Sequence, residues 1–227
     1  MTVLELDKVT KQYPGSPPVT ALCSVSLCID AGEFVAIVGP SGSGKSTLLS
    51  IAGTLERPTS GTVRLGGLPV EGLADRELSA IRARSIGFVF QQFFLIPTLS
   101  TLDNVASGLL YRGLPVEERR RAAADALDAV GLRARAAHRP HQLSGGECQR
   151  AAIARALVGS PAIILADEPT GNVDSRQGAD IVGLLRDLNA AGATILVITH
   201  NPEIARVVPR TISLRDGCVE ADSSVPE

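Results

Sequence analysis

A glycine-rich segment at residues 39–47 constrains this chain more than any other part of its sequence. It reads Gly-Pro-Ser-Gly-Ser-Gly-Lys-Ser-Thr, which has the spacing of a phosphate-binding loop. Glycines allow backbone angles that side chains forbid, so the loop's N–H groups can turn inward around an anion. The lysine supplies a charge for β- and γ-phosphates, and the serine after it is placed for Mg²⁺. The residues predicted to hold a nucleotide's phosphates are Gly39, Pro40, Ser41, Gly42, Ser43, Gly44, Lys45, Ser46 and Thr47.

The sequence on either side of the loop supports this interpretation. Residues 33–38 form a short apolar run, as expected of a buried parallel strand. Residues 46–52 have apolar positions at helical spacing, and Gly53 is a suitable end for that helix. A strand, a glycine loop and a helix follow one another in the order that the motif requires. A glycine-rich turn that matches by accident is the alternative, and the context favours nucleotide binding.

Charge and hydropathy narrow the class of protein. The formal net charge is −2, which argues against nucleic-acid binding through a broad positively charged surface. No nucleic-acid partner is therefore expected. The sequence shows no apolar run near the ~18 residues that span a bilayer. The first residues also lack the basic and apolar regions of a secretion signal. We therefore expect a cytoplasmic location, at a membrane only through a partner.

The four cysteines do not have the spacing of metal ligands. They are Cys23, Cys28, Cys148 and Cys218. Cys23 and Cys28 lie five positions apart in a predicted strand at residues 21–29, so alternation places them on opposite faces. We expect reduced thiols that are buried or without a role.

Two apolar segments, residues 86–90 and 162–166, predict successive core strands. About seventy residues separate them, whereas a crossover between parallel strands needs only about a dozen. The intervening sequence has helical patterns at residues 103–111, 116–130 and 147–158. We therefore predict one domain over residues 1–227, with a helical subdomain at 92–160 inserted in a core formed by 1–91 and 161–227.

Other segments predict the elements around this core. Asp75 is a suitable N-cap for a helix at residues 75–84. The dipeptide Asp216-Gly217 predicts a hairpin turn, followed by a short strand and a loose polar tail at residues 221–227.

Two acidic residues follow the predicted strand at 162–166. Asp167 and Glu168 come at its carboxyl end, where open α/β sheets bind ligands. Asp167 is placed to hold Mg²⁺ beside the loop serine Ser46, and Glu168 to act on a water molecule. The alternative is that both acids are solvated residues of a surface loop. The presence of a phosphate loop in the same chain makes this alternative weak.

A second glycine-lined helix start occurs at Ser144-Gly145-Gly146. These residues precede a segment rich in Ala, Ile and Arg, so the free N–H groups of a helix N-terminus predict a second anion site. Taken alone, the segment is equally consistent with an ordinary N-cap followed by flexible glycines.

The motifs together resemble the nucleotide-binding subunit of ATP-binding cassette (ABC) transporters, over about residues 3–219. They occur in the family's order: Tyr13 in an aromatic loop, the phosphate loop, Gln91, the signature at 143–149, the acids ending 163–168, Asp174 and His200.

Within the family, residues 87–91 and 166–172 look like the branch that works in lipoprotein release and in macrolide or peptide export. Two departures from the family pattern are Cys148, where Gln is commonest, and Val173, where Leu is usual. Neither position contacts phosphate in the family.

The resemblance assigns roles to single residues. Tyr13 stacks on adenine with Val19 against it. Gln91 contacts Mg²⁺ and the attacking water, and His200 contacts the γ-phosphate. Asp174 lies at the seam of a head-to-tail homodimer that forms on ATP binding. In that dimer one subunit's phosphate loop faces the other's Ser144, Gly145 and Gly146.

The fold that the resemblance implies is α/β: a P-loop NTPase (RecA-like) core with an antiparallel β subdomain and an inserted α-helical subdomain. The implied activity is Mg²⁺-dependent ATP hydrolysis that powers export, or membrane extraction, through a separate transmembrane permease. The chain would then be peripheral on the cytoplasmic face. A cell-division ATPase that transmits force without moving a solute is the alternative. A soluble translation or repair cassette is disfavoured by the chain's length.

Overall fold

Two β-sheets form the framework of the protein, described for residues 1–224 in a computed structural model. The strands are β1 (Thr2–Tyr13), β2 (Val19–Asp30), β3 (Phe34–Val38), β4 (Ser60–Leu65), β5 (Leu68–Pro69), β6 (Ile86–Val89), β7 (Ile163–Asp167), β8 (Ile195–Thr199), β9 (Arg210–Arg215) and β10 (Cys218–Asp222). The helices are α1 (Lys45–Ala52), α2 (Asp75–Ser85), α3 (Thr101–Ala106), α4 (Val116–Ala129), α5 (Gly145–Leu157), α6 (Ser175–Ala190) and α7 (Pro202–Val207).

The larger sheet has six strands in the order β10-β9-β3-β8-β7-β6. Its strands run parallel except for β10, which is antiparallel to β9. Both faces are covered: Ile37, Leu165 and Leu196 face a core shared with α1 and the other sheet, and Ala36 and Val197 face a core shared with α5 and α6. Burial on both sides explains why β3, β7 and β8 appear in the sequence as continuous apolar runs.

The smaller sheet is antiparallel, with the order β2-β1-β4-β5. Its strands alternate less regularly than predicted because Lys8 and Ser24 have φ of 51° and shift the β1–β2 register. The prediction that Cys23 and Cys28 lie on opposite faces is wrong for this reason. Both are exposed, since the irregularity at Ser24 leaves two successive exposed residues between Leu22 and Val25.

A helical segment lies between β6 and β7, as predicted. The helix expected at residues 103–111 is shorter: α3 ends at Ala106 and a 3-10 helix, Ser107–Arg112, continues it. The helix expected from residue 147 begins earlier, because Ser144 caps α5 and Gly145 is its first residue.

Two expectations at other helix and strand ends are corrected. Asp75 is the first residue of α2 and its N-cap is Ala74, whose N–H donates to Glu77 Oε2 at 2.8 Å. The predicted loose tail at 221–227 begins inside β10, which runs to Asp222, and its last three residues lie outside the described part of the chain.

A half-buried arginine connects the two sheets. Arg210 of β9 binds Asp222 through two nitrogens, at 3.0 and 2.7 Å, and it also donates to Glu33 and to the carbonyl of Cys28. Hydrogen bonds from the Arg210 guanidinium hold the pKa of Asp222 at about 2, below its usual range. Stability from this pair is complete above the unfolded-state pKa, and it is lost as the pH falls through the folded value.

We expect Asp222→Asn to lower the free energy of unfolding by about 2 kcal/mol at pH 7, since one pKa unit corresponds to about 1.4 kcal/mol. The difference from wild type should shrink between about pH 5 and pH 2, where Asp222 gains its proton. Urea denaturation across this pH range measures the difference in the free energy of unfolding. Glu220→Gln, which breaks the exposed ion pair between Arg215 and Glu220, is the control and should change that free energy little. A pH-independent difference would contradict this assignment.

Candidate nucleotide site

The phosphate loop follows β3, and two of its glycines have backbone angles that other residues rarely adopt. Gly42 and Gly44 have φ of 82° and 98°, values that residues with side chains rarely adopt. A Cβ on Gly44 would lie 2.3 Å from the carbonyl oxygen of Ala21, and one on Gly39 would lie 2.1 Å from that of Leu214. Other residue types at 39 or 44 would push the loop away from the strands that support it.

Lys45 and Ser43 line the inside of this loop. The Lys45 ammonium donates to the carbonyl oxygens of Gly39 and Pro40 at 2.9 and 2.8 Å, which curls the loop around it. The Ser43 hydroxyl is buried and has no hydrogen-bond partner among the described residues. Such an atom is costly unless a ligand oxygen completes it, so the loop fits a phosphate chain. Its outer members, Ser41, Gly42 and Ser46, are exposed.

Three strand ends meet beside the loop. β8 lies between β3 and β7, with Thr199 opposite Val38 and Ile198 opposite Asp167. Because the three strands are parallel, their carboxyl ends share one edge of the sheet. The phosphate loop, His200 and the acids after β7 therefore come together although up to 161 positions separate them in the sequence.

Asp167 shares its surroundings with Lys45. Burial raises the pKa of Asp167, the charge of Glu168 raises it further, and the charge of Lys45 lowers it. The positive charge of Lys45 is thus close enough to lower the pKa of the Asp167 carboxyl. An oxygen ligand half-buried at this edge fits Mg²⁺, and Ser46 offers its hydroxyl from the start of α1.

Glu168 is held by the end of β8. Its carboxylate accepts hydrogen bonds from the Thr199 hydroxyl at 2.9 Å and from the His200 N–H at 3.0 Å, and its Oε1 lies 2.6 Å from His200 Nδ1. The residue has φ of 44°, an uncommon backbone conformation that is often found at functional sites. The structure thus pairs His200 with Glu168, a contact that the sequence did not indicate.

Gln91 follows β6 and reaches the segment after β7. Its carbonyl accepts a hydrogen bond from Asn172 Nδ2 at 2.9 Å. Its side chain packs on Gly171, where a Cβ would lie 2.8 Å from Gln91 Nε2. Sequence reasoning assigned no separate role to Gly171 or Asn172, and the structure shows that they position Gln91.

The second glycine-lined helix start is a capping box at the beginning of α5. Ser144 Oγ accepts from the Glu147 N–H at 3.2 Å, and the Ser144 N–H donates to Glu147 Oε2 at 2.8 Å. The backbone hydrogen bond from Ser144 is the main cause that lowers the pKa of Glu147. The predicted anion site is therefore also a well-capped helix end.

Gln177 connects this helix start to α6. Its Oε1 accepts from the Gly146 N–H at 2.6 Å, while its own N–H donates to Asp174 Oδ1 at 2.9 Å. Asp174 is thus the N-cap of α6. The sequence analysis missed Gln177, and its place three residues after a capping acid is the signal that indicates it.

Tyr13 and Val19 lie where β1 ends and β2 begins. They are direct cross-strand partners in β1 and β2. Tyr13 is at the end of a strand rather than in the loop that was predicted. Its hydroxyl donates to Glu56 at 2.7 Å, and the Lys11 ammonium lies 5.1 Å from the centre of its ring, two contacts that were not predicted.

The fold and this edge of the sheet define a P-loop nucleoside triphosphatase. A family model described as ABC transporter matches residues 22–171. A solved structure titled as a dimeric post-hydrolysis state of the ATP-binding cassette MJ0796 bound to ADP and Pi is 49% identical, with a TM-score of 0.87, over 96% of this chain and 97% of that one. The chain therefore belongs to the ABC transporter family, as an ATP-hydrolysing, ATP-binding subunit.

Named relatives agree with this family. An uncharacterized ABC transporter ATP-binding protein of Thermotoga maritima is 50% identical over 219 residues, which are 96% of this chain and 94% of that protein. The macrolide export ATP-binding/permease protein MacB 1/2 of Paracoccus denitrificans is 46% identical over 97% of this chain, but only 33% of that protein is covered. Among residues 1–224, no helix is long and apolar enough to cross a bilayer.

Proposed function

We propose that this chain is the Mg²⁺-dependent ATPase subunit that powers export, or extraction from a membrane, through a separate transmembrane permease. The observation that carries the proposal is the convergence of the phosphate loop, the Asp167–Glu168 pair and His200 at one edge of the sheet. Residues 1–91 and 161–227 form the ATPase core, and residues 92–160 form the helical subdomain that carries the signature.

The metal would be held by Ser46, Asp167 and Gln91. Bound there, Mg²⁺ would neutralise charge on the β- and γ-phosphates. Lys45 and the N–H groups of the loop bind the same phosphates, with residues 39–47 as a cradle. The hydroxyl of Ser43, which has no partner within the described chain, supplies one further donor.

Glu168 orients the attacking water. Its carboxylate is fixed by Thr199 and His200, so an oxygen can accept a proton from water without first losing conformational freedom. His200, whose side chain is 69% exposed, contacts the γ-phosphate from the end of β8. Positioning and charge stabilisation then account for most of the rate enhancement.

The complete site needs two copies of the chain. ATP lies between the phosphate loop of one copy and Ser144, Gly145 and Gly146 of the other, with Asp174 at the seam. Tyr13 stacks on the adenine, with Val19 beside it. The dimeric form of the MJ0796 cassette supports this arrangement.

The membrane partner supplies substrate recognition. Relatives such as MacB 1/2 are named as combined ATP-binding/permease proteins, which supports a permease for this chain and a position on the cytoplasmic face of the membrane. Co-purification from detergent-solubilised membranes, followed by sequencing of the partner, tests the proposal. A multispanning permease is expected, and a partner of the cell-division apparatus would favour force transmission instead.

An apolar loop after Gln91 is our candidate for the permease contact. Phe94 and Ile96 are 60% and 46% exposed, although the carbonyls of Phe93 and Phe94 are fixed by hydrogen bonds from Arg155 at 2.9 and 2.5 Å. The backbone is thus held while two large apolar side chains face outward, which is typical of a contact surface.

We expect Phe94→Ser to weaken co-purification with the permease, or to uncouple transport, while the isolated subunit keeps its ATPase rate. A half-buried neighbour, Phe93, gives a second variant in which some loss of stability is expected. Leu68→Ser, at an exposed position of β5, is the matched control that should leave assembly intact. Unchanged assembly and unchanged coupling in Phe94→Ser would remove this loop from the interface.

A further inference from the structure

Two of the cysteines meet where the two sheets adjoin. β2 and β10 are edge strands of different sheets. The N–H of Cys23 in β2 donates to the carbonyl of Gly217 at 2.8 Å, and Gly217 directly precedes Cys218 in β10. Residues 195 positions apart in the chain are thus side by side.

Cys23 and Cys218 thus lie on neighbouring stretches of β2 and β10. A hydrogen bond to the Cys23 thiol is the main cause that raises the pKa of Cys218. Both cysteines are free and exposed, so a small oxidant can reach them, whereas Cys148 is buried.

The pair lies directly behind the phosphate loop. The Gly217 N–H donates to the Ser43 carbonyl at 3.1 Å. A Cβ on Gly217 would lie 2.7 Å from the carbonyl oxygen of Ala21, and Gly44 approaches that same carbonyl from the loop side. A disulfide between Cys23 and Cys218 would therefore lie beside the backbone contacts of Gly217 and Ala21 that support the phosphate loop.

We propose that Cys23 and Cys218 are a modification site for hydrogen peroxide, at which they close to a reversible disulfide that joins the two sheets. The Cys23 thiolate attacks one peroxide oxygen, the O–O bond breaks, hydroxide leaves, and the sulfur becomes a sulfenic acid. The Cys218 thiol then gives up its proton, attacks the Cys23 sulfur and displaces the oxygen as hydroxide. In total, two thiols and one peroxide give one disulfide and two waters, and two electrons pass to the peroxide.

The full chain, purified with all four thiols reduced, tests this site. After treatment with hydrogen peroxide and alkylation, we expect a linked peptide pair that contains Cys23 and Cys218 and has lost two hydrogen atoms. Free thiols should fall from four to two and return to four with dithiothreitol. Cys28→Ser should form the same link, whereas Cys23→Ser and Cys218→Ser should not.

Other products would overturn the assignment. A link through Cys28, a link between two chains, or a sulfinic acid on Cys23 with Cys218 still reduced would each show that the pair does not close. Because the readout is covalent and needs no nucleotide, it is independent of the proposed ATPase activity.

Discussion

Replacing Glu168 with Gln is expected to lower ATP turnover by ~10²–10⁴-fold, the usual contribution of a positioned base, while ATP binding persists. The amide can keep its carbonyl toward the His200 N–H and turn its NH₂ toward the Thr199 hydroxyl, so the local hydrogen bonds survive. The negative charge and the base are lost. Repulsion between a carboxylate and the γ-phosphate is lost with them, so ATP should be held longer.

Phosphate release and size-exclusion chromatography measure the two consequences. The variant should release little phosphate and should shift from monomer to an ATP-bound dimer. Glu118→Gln, the same change at an exposed position of α4, should leave turnover unaltered. Asp167→Asn should instead weaken Mg²⁺ dependence and ATP binding together. Wild-type turnover in Glu168→Gln would mean that another group is the base, and loss of ATP binding would mean that the two acids do not divide their roles as proposed.

Replacing Lys45 with Ala is expected to abolish tight ATP binding. A hydrogen bond to a charged group is worth about 1.5–3 kcal/mol, so affinity should fall by at least about tenfold. Lys45 also braces the loop through the carbonyls of Gly39 and Pro40, and the empty loop should therefore lose some order as well.

A fluorescent ATP analogue measures the affinity, and circular dichroism reports whether the fold is kept. Lys8→Ala removes the same charge from an exposed position of β1 and should bind ATP normally. Near-normal affinity in Lys45→Ala, with the fold intact, would exclude the loop as the phosphate site.

Much of this architecture could be predicted because the features that determine it are local. β3, β7 and β8 are buried on both faces, and that burial requires apolar runs that stand out in a sequence. The loop at 39–47 is constrained by backbone angles that few residues except glycine adopt. The helical segment could be inferred from length alone, since a crossover does not need seventy residues.

The remaining features depend on contacts between distant residues. Cys23 and Cys28 were assigned to opposite faces of β2 because regular alternation along a strand does not predict the irregularity at Ser24. The bonds from the Thr199 hydroxyl to Glu168 and from the Gly146 backbone N–H to the Gln177 side chain each join groups 31 positions apart. Only the packed sheet and helices bring these groups within hydrogen-bond distance.

Gln91 and Phe94 are three residues apart, and this short separation has a thermodynamic consequence. Hydrogen bonds hold the chain between them at both ends. Asn172 donates to the backbone carbonyl of Gln91, and Arg155 donates to those of Phe93 and Phe94. If a ligand displaced Gln91, we expect the surface proposed for the permease to move with it. Coupling of this kind is reciprocal, so whatever factor ATP applies to permease affinity, the permease must apply to ATP affinity.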